Sequence, residues 1–89
     1  MKTLTLPTVH MNGTGARSLT EQYLVAANAV TGAIHDCHES APNGRDYYTQ
    51  GGEALPLAEK EYWDRIDRLE SVLEELNVLA LHCSQFIKP

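Results

Sequence analysis

Residues 56–87 read PLAEKEYWDRIDRLESVLEELNVLALHCSQFI. Tyr62, Ile66, Leu69, Leu73, Leu76, Ala80, Cys83 and Ile87 recur in this stretch at steps of four and three, the heptad spacing that keeps one face of a helix apolar. Val72, Leu79 and Phe86 widen the stripe on one flank, while Asp64, Arg65, Asp67, Arg68, Glu70, Glu74 and Glu75 form the wet face. Pro56 suits the first turn, where its missing N–H would have no intrahelical partner in any case. The pattern predicts a helix over 56–87, close to 48 Å long.

Upstream, Ser18 followed by Glu21 has the form of a capping box, which starts a helix over 18–39. Tyr23, Leu24, Ala27, Val30, Ile34 and Cys37 give it an apolar face, Pro42 stops it, and its length is roughly 32 Å. Gly32 inside it costs about 1 kcal/mol relative to alanine, which points to close packing or a local weakness. Residues 1–17 form an extended arm ending in a glycine-rich turn: Leu4 and Leu6 share one face and Thr3 and Thr5 the other, and Pro7 bars a central strand. Residues 40–55 are a loop. The fold expected is all-α, one domain over 1–89: a long antiparallel helical hairpin with an N-terminal arm. The two helices cannot match end to end. The expected unmatched part, LNVLALHCSQFI at Leu76–Ile87, is apolar around most of its circumference and calls for burial. A chain of 89 residues buries about 60 to 65% of its unfolded surface, so a second subunit is the natural cover, and a homo-oligomer, dimer or higher, is expected.

A formal net charge of −5 excludes broad binding to nucleic acid or to anionic membranes, both of which need a large basic face. No stretch approaches the roughly 20 apolar residues that span a bilayer, and Met1–His10 has no apolar signal-peptide core. Cys37 and Cys83 are too few for a disulfide framework, so a cytoplasmic protein with free thiols is expected.

Two segments carry more specific residues than a spacer needs. Around the first helix start, His10, Asn12, Gly13, Thr14, Gly15 and Arg17 combine glycine-freed amides, a helix N-terminus and a guanidinium, which suits a phosphate or carboxylate. It matches neither a P-loop nor a dinucleotide fingerprint. In the loop, Arg45 can fork onto an anion, Tyr47 and Tyr48 offer faces for a base, and Asp46 can accept from a ribose hydroxyl. In a hairpin these segments lie roughly 30 Å apart, so a two-fold assembly is needed to join them in one pocket. His35-Asp36-Cys37-His38-Glu39 and His82-Cys83 have metal-capable side chains, but their spacing reads better as a polar helix end and a core cysteine. No metal motif, nucleophile grouping or carboxylate dyad emerges, so no cofactor and no enzyme is expected, with a nucleotide hydrolase as the competing reading.

The segments VHMNGTG (Val9–Gly15) and APNGRDYYTQG (Ala41–Gly51), followed by a charged amphipathic helix, resemble those of short phage and prophage proteins of no assigned activity. In general character the chain also resembles the phage anti-defence sponges that sequester nucleotide immune signals. The resemblance implies a binding protein that holds a small nucleotide-like ligand without turning it over. The alternative is a helical interaction module, with no small ligand, that docks on a phage structural component or a host defence protein.

Overall fold

Ala16–His38 form the first helix, α1, and Ala54–Ser84 the second, α2, with no strand among the described residues. The structure is a computed structural model that describes residues 3–88. All eight heptad positions of α2's apolar stripe are buried or half-buried, including Ile87, which lies past the helix end. Thr3–His10 form the extended arm, and two 3-10 turns, Gly44–Asp46 and Tyr48–Gln50, break up the connection between the helices.

Both helix starts differ from the sequence reading. α1 begins at Ala16, with Gly15 as its N-cap in extended backbone, so Ser18 lies within the first turn and no side chain caps the helix. Gly15 makes this possible: its carbonyl accepts from Leu19 N–H at 3.0 Å, a full turn ahead of the bond that a Ser18 cap would allow. α2 begins two residues before Pro56, which keeps the proline in the first turn. It ends at Ser84 rather than Ile87. Beyond that point Phe86 N–H donates to Cys83 and Ile87 N–H to Ser84, three-residue bonds that tighten the last turn.

The overhang of the longer helix falls at the opposite end from the one expected. The His38 ring, at the end of α1, stands 6.5 Å from the Tyr62 ring in an edge-on contact. Residues 15–18 line one cleft together with Phe86, Ile87 and Lys88. The unmatched turns of α2 are therefore Ala54–Glu61, and the C-terminal half has α1 along it. The connection accounts for this: its turns pack on the start of α2, with Leu55 beside Gly44, and occupy the space that α1 would otherwise fill.

The core is a single seam. Ile66 and Cys83 are the largest fully buried side chains, supported by Ala16, Thr20, Ala27, Tyr62 and Ala80. The buried Thr20 hydroxyl donates to the Ala16 carbonyl at 2.7 Å, so it adds no unpaired polar group. The molecule measures 61 × 23 × 17 Å, with a radius of gyration of 18.7 Å where a compact chain of this length would have about 12 Å. It exposes 6739 Å², against about 5200 Å² for a compact monomer of its mass. Gly32 has no neighbour within reach of a β-carbon, which removes close packing as its reason.

Two substitutions test this seam by urea unfolding. Ile66→Ala is expected to lower stability by about 3 kcal/mol, through lost burial and a residual cavity. Gly32→Ala is expected to raise it by about 0.5–1 kcal/mol, through helix propensity alone.

Candidate functional site

The arm reaches its position through one specific bond. His82, half-buried on the flank of α2, donates from Nε2 to the Pro7 carbonyl at 2.7 Å. A carbonyl can only accept, so the imidazole proton sits on Nε2. The His82 ring also meets the Phe86 ring edge-on at 5.3 Å, which fixes its orientation. Past Pro7 the chain turns: Gly13 N–H donates to the His10 carbonyl at 3.1 Å, and the His10 ring folds over Gly13. A β-carbon at Gly13 would come within 2.8 Å of His10 Nε2, so this ring position depends on glycine.

That turn delivers the chain to α1, and a cleft of about 590 Å³ opens between the arm, the first turn of α1 and the C-terminal residues of α2. Of the first group singled out in the sequence, His10, Gly15 and Arg17 line it, and Asn12, Gly13 and Thr14 are exposed beside it. With no side-chain cap on α1, the first-turn amides of Ala16, Arg17 and Ser18 have no helical acceptor and form the positive end of the helix dipole. Phe86 and Lys88 complete the cleft. Sequence reasoning missed both, because it assigned the end of α2 to a subunit interface. The apolar pair Phe86-Ile87 followed by Lys88 was the available signal, but only the docked arm turns it into a wall.

Charge sets this cleft apart. Arg17 and Lys88 line it and no aspartate or glutamate does, in a chain with 12 acidic residues against 7 basic. Neither cation takes part in an ion pair among the described residues.

The second predicted group lies at the other end of α1, about 34 Å away along its 23 residues. Asn43 Oδ1 accepts from Arg45 N–H at 3.0 Å, which caps the first 3-10 turn and sets the Arg45, Asp46, Tyr47 order. Arg45 and Asp46 are exposed and make no ion pair with each other, Tyr47 is half-buried, and Tyr48 is 76% exposed. Within one chain these four residues therefore join none of the first group. Among the described residues no three His, Cys, Asp or Glu side chains gather closely enough to hold a metal ion. His35 and Asp36 approach to 3.5 Å, both well exposed. Cys37 and Cys83 are free thiols. Among the described residues no helix is long and apolar enough to cross a membrane. No family model matches this sequence, and neither a curated protein nor a solved structure does.

The His82–Pro7 bond positions the cleft's outer wall, so its loss should show there first. In His82→Ala, amide hydrogen exchange of residues 3–13 is expected to rise to the level of free chain, while global stability falls by only about 1 kcal/mol.

Proposed function

We propose that this chain is a non-catalytic binding protein: an antiparallel helical hairpin that assembles into a homo-oligomer and sequesters a small anionic, nucleotide-derived molecule. The observation that carries the reading is the cleft whose charged lining is Arg17 and Lys88 alone, against the strong acidic bias of the chain. Its volume is in the range of small-molecule sites, about 300–1000 Å³. Arg17, Lys88 and the first amides of α1 would hold a phosphate, His10 would reach its edge, and the half-exposed Phe86 ring offers a face for a base. Asn12, Gly13 and Thr14 supply polar groups at the rim. Arg45, Asp46, Tyr47 and Tyr48 would come from a second copy whose opposite end meets this one. Sequestration in the manner of a phage anti-defence sponge is the role that this chemistry and the sequence resemblance favour together.

A different observation favours the second reading, a helical interaction module without a small ligand. Leu57, Trp63 and Leu81 are all more than half exposed, although they lie on the longer helix of a two-helix fold. In that reading the partner is a protein surface and the cleft is incidental.

Calorimetric titration with cyclic dinucleotides and ADP-ribose separates the two. The sequestration reading expects saturable binding, recovery of the ligand unchanged after incubation, and a loss of 1.5–3 kcal/mol, about 10- to 150-fold, in Arg17→Ala and in Arg45→Ala. Equal affinity in both variants would remove the assigned pocket, and no binding of any nucleotide would leave the interaction module.

A further inference from the structure

A groove of about 860 Å³ runs between α1 and α2 from Asp67 to Leu81. Ile34, Leu73 and Val78 are half-buried in it, while Asp67, Glu70 and Glu74 stand exposed. Leu81, 66% exposed, closes one end; Trp63, 57% exposed, lies on the same line of α2 about five turns earlier. Lys60, Trp63, Asp67, Ser71, Glu74 and Val78 follow one another at steps of three and four. They make a second line on α2, turned about two fifths of the circumference from the stripe that meets α1.

We propose that this line packs against the same line of a second copy, antiparallel, about a two-fold axis crossing α2 near Asp67. Area supports the occupant. The chain exposes about 1500 Å² more than a compact monomer of its mass, and a standard interface takes about 800 Å² from each partner. Charge and size choose the register. With the axis at Asp67, Lys60 lies opposite Glu74 and the large Trp63 opposite the small Ser71, and symmetry makes each pairing twice. Moving the axis half a heptad toward the C-terminus sets Asp67 against Glu74, like charges in both copies. Moving it the other way sets Val78 beyond the start of the mate's α2, whereas with the axis at Asp67 Val78 lies opposite Pro56 in the first turn and Leu81 opposite the N-cap Glu53. The chosen register has one cost: Asp67 meets its own symmetry mate.

This interface rests on the reading of the chain as an assembly, and it supplies that reading with its missing half. An antiparallel mate brings its Arg45–Tyr48 bend to the end of the molecule where Arg17 lies. Arg17, Leu24 and Thr31, spaced by seven, run along one line of α1, and Thr31 lines the groove while Arg17 lines the anionic-ligand cleft.

Light-scattering mass of the full chain, with helicity by circular dichroism as the folding control, tests the proposal. The unchanged chain is expected at two-copy mass at micromolar concentration. Trp63→Glu and Lys60→Glu are each expected to weaken association at least about tenfold at unchanged helicity, and adding Glu74→Lys to Lys60→Glu to restore it. Asp67→Asn is expected to tighten it. A monomeric wild-type chain, a dimer indifferent to these charges, or a monomer that gains mass only with a basic amphipathic peptide would each overturn the interface. Nucleotide titration of the same samples keeps the readings apart. A dimer that binds no nucleotide loses the ligand and keeps the interface; a monomeric variant that binds nucleotide at full affinity loses the shared pocket.

Discussion

Two helices have one seam between them, and everything else in this molecule follows from how little that seam can bury. A helix packed against a single neighbour hides a stripe of its circumference. α2 carries apolar side chains on a wider arc than that: the Tyr62–Ile87 stripe, the Val72–Leu79–Phe86 flank, and Trp63 with Leu81 on the other side. The first is covered by α1. The arm, held by the His82 bond to Pro7, lines a cleft with Phe86 at the end of the second. The third stays open, and in a chain of net charge −5 its rim is acidic. The extended shape and the surplus of exposed surface are the same fact seen at the scale of the whole chain.

The arm changes the character of the C-terminal end of α2. Without it, His82 and Phe86 would be an isolated pair on a helix flank. With it, the backbone from Val9 onward is led across the end of α2 and into α1, and the first-turn amides of α1 face a wall that the same chain supplies. Gly13 lets the His10 ring lie close, and Gly15 starts α1 without a side-chain cap, which leaves those amides uncommitted. A serine or aspartate at the N-cap would satisfy one of them and leave fewer free amides for the proposed anion.

The element order and the buried stripe of α2 were legible from periodicity, because a heptad pattern over eight positions has one helical solution. The helix starts were less so. Ser18 and Glu21 have the capping-box spacing, but Gly15 accepts the first helical bond three residues earlier, and spacing alone does not rank the two. The end of α2 left uncovered was misread for a different reason: length comparison assumes that the connection takes no space, whereas its second 3-10 turn packs on α2 and Gly44 of the first lies beside Leu55. Of the residues that line the cleft, His10, Gly15 and Arg17 were readable as a glycine-rich turn with a charge. Phe86 and Lys88 were not, because their neighbours come from the other end of the chain. The His82–Pro7 contact spans 75 residues and has no local signature.

The misread overhang also redirects the case for assembly. A bare C-terminal end would have asked a partner to cap the molecule end to end, a contact of small area. An open flank along α2 asks instead for a side-by-side mate, and side-by-side antiparallel packing is the geometry that puts the two ends of one chain beside the opposite ends of the other. The cationic cleft and the arginine–tyrosine bend are separated by the length of α1 in each copy. In the proposed assembly their meeting therefore depends on lateral packing and would be lost in any end-to-end arrangement. A two-helix chain too thin to enclose a ligand by itself can in this way present two identical enclosed sites per pair, one at each end, from a single interface between them.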